Sequence, residues 1–242
     1  MKTDLAGQTV VVIGGTSGIG LETARLARSG GADVILVARD PERLKKVASE
    51  LGARSSAAFD ATDFARLASF FDALQAPIDH VLVTGPGPYY APLAEFDFEK
   101  ARRDLEAHVL LHLAVAKAAA KKVRPGGTLL FMGGTGGRRT APGFGLIGPL
   151  TAAGPAQTRN LALELAPVRV NMLAAGFVDT PLSAAILGDQ IEARREQLRR
   201  TLPIRRVVGP ADVAALAVHV MTNTAITGAT LDIDGGQQLV EG

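Results

Sequence analysis

The sequence predicts a doubly wound α/β fold, in which one seven-stranded parallel sheet lies between two layers of helices in a single domain over residues 1–242. Three observations carry that prediction. Short runs of β-branched residues recur along the chain, a stretch with helical character separates each from the next, and the first run ends in a glycine-rich turn that opens a helix. Hydrophobic residues make up 47% and charged residues 21%, enough apolar surface for one large core, and no linker divides the chain.

Thr9–Ile13 (TVVVI) and Asp33–Val37 (DVILV) are the first two strands, apolar throughout as strands buried on both faces must be. Between them Leu21–Arg28 reads as a helix that stops at Gly30-Gly31. Asp40 is placed to cap a helix whose first position is Pro41 and which runs to about Leu51. Further strands fall near Ser56–Phe59, His80–Val83, Thr128–Met132, Val168–Leu173 and Thr230–Ile233, and helices fit 63–74, 98–122, 156–166, 190–201 and 211–222. Right-handed crossovers then make the sheet parallel. Pro149 suits a helix start, but Pro155 inside a regular helix costs about 3 kcal/mol. The sequence therefore predicts a helix that is loosened before Pro155 or begins after it.

Composition excludes several function classes. The net charge is +2, the arginines are scattered apart from one cluster, and aromatic residues are 5%, which leaves little for nucleic-acid binding. No cysteine is present, so disulfides and thiolate metal sites are excluded. Four histidines without an HExxH pattern or a carboxylate cluster predict no metal site. Residues 140–158 carry no charge, yet they hold three prolines and four glycines, which argues against a membrane-spanning helix. The N-terminal segment lacks the order of basic, apolar and small residues of a signal peptide, and a cytoplasmic protein is the expectation.

In a sheet of this kind ligands bind beyond the carboxyl ends of the strands. The first such end reads Gly14-Gly15-Thr16-Ser17-Gly18-Ile19-Gly20, where glycines permit a tight turn and bring backbone N–H groups to a pyrophosphate at the helix N-terminus. With FDATD at 59–63, DHVLV at 79–83, LALELAPVRVNMLAAGFVDTPL at 161–182 and GATLDIDGG at 228–236, the chain resembles the short-chain dehydrogenase/reductase family along nearly its whole length. The resemblance implies a Rossmann domain, a nicotinamide dinucleotide cofactor, and a homotetramer or homodimer built on the helices at 98–122 and 156–166. It also implies that residues 181–208 cover a small-molecule substrate.

The cofactor positions are Gly14, Thr16, Ser17, Gly18, Ile19 and Gly20 in the turn, with Arg39 after the second strand. An acidic residue there would hold the ribose 2′-OH of NAD, whereas an arginine pairs with a 2′-phosphate, and Asp40 is engaged as a cap; NADP(H) is thus favoured over NAD(H). By the resemblance, Asp60 and Ala61 lie by the adenine, Thr84 and Gly85 in the loop after the fourth strand, and Gly176, Val178 and Thr180 by the nicotinamide. Two departures stand beside these. Ala175 replaces the family's proline, and TGPG at 84–87 replaces Asn-Asn-Ala-Gly.

The family's chemistry uses a tyrosine acid, a lysine four residues later, a serine on the preceding loop and an asparagine on an earlier helix. Counting back from Leu161–Glu164 puts Ile147 at the tyrosine position and Thr151 at the lysine position; the serine position falls near Gly134 and the asparagine position near His108. The only tyrosines are Tyr89 and Tyr90, no lysine follows Lys122, and no serine lies between Ser69 and Ser183, so no shift of register restores the set. Two readings follow. One is an oxidoreductase with another proton source, for which His108 is the candidate, or with a cationic acceptor such as an iminium that needs no strong acid. The other is a non-catalytic cofactor-binding homologue acting as sensor, partner subunit or scaffold. The basic cluster ARREQLRRTLPIRR at 193–206 reads as an ion-paired helix face, with an anionic ligand as the alternative.

Overall fold

The computed structural model describes residues 4–75 and 77–240. Its strands are β1 Thr9–Ile13, β2 Asp33–Ala38, β3 Ser55–Ala58, β4 Ile78–Val83, β5 Val123–Gly134, β6 Arg169–Ala175 and β7 Thr230–Ile233. The helices are α1 Gly18–Ser29, α2 Pro41–Leu51, α3 Phe64–Ala73, α4 Phe98–Leu105, α5 Leu111–Ala119, α6 Ile147–Glu164, α7 Pro181–Leu187, α8 Ile191–Thr201 and α9 Pro210–Thr222. All strand pairs are parallel, in the order β3-β2-β1-β4-β5-β6-β7. The chain order reverses between β1 and β4, and the crevice that opens there is the ligand position of this architecture.

Alternate residues of the central strands feed two cores. Val11, Ile13, Val37, Val81, Leu129 and Phe131 pack with residues of α3, α5 and α6, whereas Val10, Val12, Leu36, Leu82 and Leu130 pack with residues of α1 and α9 on the other face. That explains the continuous apolar runs in the sequence: neither face of the central strands meets water.

Two helices depart from the sequence expectation. Helix α6 starts at Ile147 and runs unbroken through Pro155, neither loosened nor delayed. Burial of Ile147 and Leu150 contributes about 1.5–3 kcal/mol for each side chain, which offsets the missing hydrogen bond at Pro155. Met172 fills the space beside Gly154, where a Cβ would lie 2.8 Å from the sulfur. The expected helix over 98–122 is α4 and α5 joined by one wide π-type turn, Glu106–Leu110, and α5 ends at Ala119. Such turns widen a helix by one residue and frequently mark functional sites; His108 sits in this one.

Candidate active site

The glycine turn after β1 is shaped by close backbone approach. Gly14 has φ +85°, and Thr84 occupies the space a side chain would need; the Thr84 hydroxyl donates to the Ile13 carbonyl at 2.9 Å. A Cβ on Gly20 would strike the Gly14 carbonyl, and one on Gly18, at φ +51°, would come 3.3 Å from Thr180. Ser17 stands at the N-cap of α1 without a side-chain hydrogen bond, so the first-turn N–H groups have no internal partner. This is a cradle for an anion: free donors, a helix N-terminus and no side chain in the way.

The other cofactor positions line the same edge. Asp40 accepts from the N–H groups of Glu42 and Arg43 at 3.0 and 3.1 Å, leaving exposed Arg39 as the charged group beyond β2. Asp60 accepts from the Thr62 N–H at 3.0 Å and hydroxyl at 2.8 Å. Burial raises its pKa, but those bonds and the charge of Arg39 outweigh it and hold the carboxyl below its usual value. Beyond β6, Gly176 packs where a Cβ would lie 2.6 Å from the Asp234 Cβ, and Gln237 accepts from the Phe177 N–H at 2.7 Å. Thr180 caps α7, accepting from the Ser183 N–H at 3.1 Å, and Val178 is buried. The glycine turn, Arg39, Asp60, Ala61, Thr84, Gly85, Gly176, Val178 and Thr180 thus gather at the carboxyl ends of β1, β2, β3, β4 and β6. In this architecture such an edge is where a dinucleotide binds.

The segment beside it is short of chemical groups. Ile147 is buried at the first position of α6. Thr151 donates its hydroxyl into its own helix, toward the carbonyls of Ile147 at 2.8 Å and Gly148 at 3.1 Å. A Cβ at Gly134 would lie 3.1 Å from the Thr151 methyl, and one at Gly137 would lie 2.8 Å from the Ala152 nitrogen, so the loop lies closer to α6 than a side chain allows. A cleft of 210 Å³ remains behind it, lined by Gly134, Thr151, Pro155 and Met172 among others. The Thr135 hydroxyl is buried without a partner.

His108 projects from the wide turn toward the loop after β4. Its Nε2 lies 3.6 Å from where a Cβ of Gly85 would be, and its Nδ1 is 3.1 Å from Asp104 Oδ1. Asp104 was not among the residues singled out in the sequence, although an acid four residues before a histidine is a readable pairing on a helix. His112, one turn on, is fully internal and stacks on Phe131 with ring centroids 4.4 Å apart. The arginines of 193–206 are mostly committed: Arg195 pairs with Asp179 at 2.7 Å and with Glu192, Arg199 and Arg200 pair with Glu196, and Arg206 pairs with Asp212. Among the described residues no three His, Cys, Asp or Glu side chains converge as metal ligands, and no helix is long and apolar enough to cross a membrane.

Comparison with known proteins agrees with this geometry. A family model described as enoyl-(acyl carrier protein) reductase matches residues 13–238. The short-chain dehydrogenase/reductase malC of Malbranchea aurantiaca is 28% identical, over 97% of this chain and 96% of its own. Among solved structures, that of the MalC reductase/Diels-Alderase from Malbranchea aurantiaca superposes with a TM-score of 0.90 at 28% identity, covering 99% of this chain and 100% of that one. A small-chain dehydrogenase in complex with NADPH superposes with a TM-score of 0.82 at 25% identity, over 96% of this chain and 99% of that one. A glycine cradle at the β1 switch point, the dinucleotide edge around it and a match over 13–238 lead to one assignment: the chain belongs to the short-chain dehydrogenase/reductase family and is built to bind a nicotinamide dinucleotide.

Proposed function

We propose that this chain is an NADP(H)-dependent oxidoreductase whose hydride acceptor is electrophilic in its own right, an iminium or similar cation rather than a ketone. One observation carries the reading: where the family places its tyrosine and lysine, this chain has buried Ile147 and a Thr151 whose hydroxyl is turned into its own helix. Arg39 supports NADPH over NADH, since it stands exposed at the end of β2 and forms no salt bridge among the described residues.

When bound, the nicotinamide supplies the hydride. The glycine turn and α1 hold the pyrophosphate, Arg39 the 2′-phosphate, and Val178 with Thr180 the nicotinamide end. Ile147 and the glycine loop keep water and strong dipoles away from the acceptor. Those surroundings penalise the alkoxide that ketone reduction creates, because charge develops in a poorly polar site. They tolerate an iminium acceptor, because hydride transfer would then only move the positive charge from the acceptor to the nicotinamide and would create no new pair of charges. The medium then does by exclusion what an acid would do by donation. Residues 181–208, which contain α7 and α8, cover the acceptor. Leu105, Leu110 and Leu113, each 41–43% exposed, with Leu163 at 81%, supply an apolar face for a dimer or tetramer.

A second reading keeps His108 as proton donor, and the carboxylate of Asp104 at its Nδ1 favours it. The test is a panel of cyclic iminium salts and matched ketones with NADPH, read by absorbance at the nicotinamide band. Iminium turnover without ketone turnover, unchanged in His108→Gln, is expected. Ketone turnover lost in that variant would establish the histidine instead. NADPH binding with no turnover on either series would establish the non-catalytic alternative.

A further inference from the structure

Beyond the end of β6 the chain runs Gly176-Phe177-Val178 before Val178 meets Val208 in a single parallel bridge. Ala175 replaces a proline that would have fixed its own φ, so the segment depends on contacts from outside. Two hydrogen bonds supply them. The Gly176 N–H reaches the Ile233 carbonyl at 3.4 Å, and the Phe177 N–H donates to Gln237 Oε1 at 2.7 Å, the shorter and stronger of the two. Gln237 lies in the turn after β7 and is 3% exposed. Its side-chain oxygen occupies the space that a Cβ on residue 176 would need, which is why glycine is required there.

The turn that carries Gln237 has little freedom. Buried Asp234 accepts the N–H groups of Gly236 at 2.8 Å and Gln238 at 3.0 Å, and the Gln237 N–H returns to the Asp234 carbonyl at 3.1 Å. Gly235 and Gly236 take φ of +66° and +84°, and a Cβ on each would come within 2.7 Å of Ile204 and 2.6 Å of Pro203. The amide oxygen is therefore presented to Phe177 at one position. We infer that Gln237 is a positioning residue for the nicotinamide end of the cofactor: its oxygen fixes the Phe177 N–H, and with it the backbone that leads into Val178 and Thr180. The inference rests on the reading above, which lays the nicotinamide against those two residues. A ligand that must order the backbone it meets loses affinity, and here Gln237 has ordered it beforehand. The effect is confined to one end of the dinucleotide, because in that reading the glycine turn and Arg39 hold the pyrophosphate and the 2′-phosphate.

The test compares NADPH with 2′-phospho-ADP-ribose, which lacks the nicotinamide, by calorimetric titration. NADPH is expected to bind the wild-type protein more tightly. Gln237→Met keeps the length of the side chain and removes its oxygen. NADPH should then bind about five- to tenfold more weakly, while 2′-phospho-ADP-ribose binds as before. Gln238→Ala, which removes a side chain that meets Arg138 and Asp232, should change neither affinity. An equal loss for both nucleotides in Gln237→Met would mark a general structural role and overturn the inference. An unchanged NADPH affinity would overturn it too, as would the same selective loss in Gln238→Ala. Amide exchange in the cofactor-free wild-type protein tests the contact without a variant: the Phe177 N–H should exchange at least about tenfold more slowly than in an unfolded chain, and unprotected exchange would overturn the inference. Wild-type protein that binds both nucleotides equally keeps the cofactor reading and loses the role of Gln237; protein that binds neither loses both.

Discussion

Asp104 and His108 stand one turn apart, with Asp104 Oδ1 3.1 Å from His108 Nδ1, and the second oxygen of the same buried carboxylate accepts the Tyr89 N–H at 3.3 Å. One carboxylate therefore ties the wide turn between α4 and α5 to the chain that follows β4. The loop Thr84–Gly87 is backed by the imidazole, whose Nε2 side faces Gly85 and the Pro86 carbonyl.

That arrangement raises the pKa of His108. Burial acts to lower its pKa, but the hydrogen bond and charge of Asp104, with the Pro86 carbonyl, raise it above 6.5 overall. The imidazolium is favoured in the fold, so its stabilising contribution is complete below the unfolded pKa of 6.5 and is lost as pH rises through the folded value. In Asp104→Asn only burial and the weaker dipoles remain. The His108 ring proton, followed by NMR, should then titrate below 6.5, and NADPH affinity should fall roughly tenfold as the loop loosens, about 1.4 kcal/mol. A wild-type His108 that already titrates below 6.5 would refute the argument.

Arg39 is testable through the difference between two cofactors. A charge-assisted contact to the 2′-phosphate contributes about 1.5–3 kcal/mol, roughly 10- to 100-fold in affinity. Arg39→Asp should weaken NADPH by at least that factor, because the new carboxylate also repels the phosphate, and should leave NADH unchanged or tighter. Fluorescence titration of both nucleotides decides it, and the absence of tryptophan keeps the background low. An equal loss for both nucleotides would show that Arg39 shapes the loop instead.

The strands and the glycine turn were legible because their signals are local: apolar runs of strand length and glycines at backbone contacts. The start of α6 was not. Its cause is tertiary, since burial of Ile147 and Leu150 and the packing of Met172 on Gly154 outweigh the Pro155 penalty. The wide turn at Glu106–Leu110 inserts a residue without a composition signal. For the candidate site, the placement of Arg39 and the glycines at the strand ends follows from position in the sequence, whereas the pairing of Asp104 with His108 and the Tyr89 N–H depends on which loops converge.

Arg169 offers a test of what holds the far end of the sheet together. Buried in β6, its guanidinium donates to the carbonyls of Gly126, Val220, Met221, Asn223 and Ile226 at 2.8–3.1 Å, closing the C-terminal end of α9 without a carboxylate. The negative end of the helix dipole supplies the counter-charge. Arg169→Met strands those carbonyls in the interior at about 1–3 kcal/mol for each that finds no water. Stability should fall by about 4 kcal/mol or more, and the melting temperature by roughly 8–16 °C. Arg169→Lys, with three donors, should recover part of it. A methionine variant as stable as wild type would show that the carbonyls need no donor.

The buried histidines set the acid limit. Loss of solvent is the main cause for both: it lowers the His80 pKa to about 3, with the charges of Arg169 and Arg124 adding to it, and the His112 pKa to about 4. Each is therefore neutral in the fold, and each takes up a proton near 6.5 when the chain unfolds. Above 6.5 both states carry the same number of protons on these groups and stability does not depend on them. As pH falls from 6.5 toward 4 the unfolded chain binds two more, and stability is lost at about 1.4 kcal/mol per pH unit for each histidine. His112→Phe keeps a ring against Phe131 and removes one titration. Urea unfolding between pH 6 and 4.5 should then show a shallower slope in the variant than in wild type, by about 1.4 kcal/mol per pH unit. The two proteins should run parallel above pH 7. Parallel slopes below pH 6 would mean that His112 is protonated inside the fold, and that its stack on Phe131 admits water.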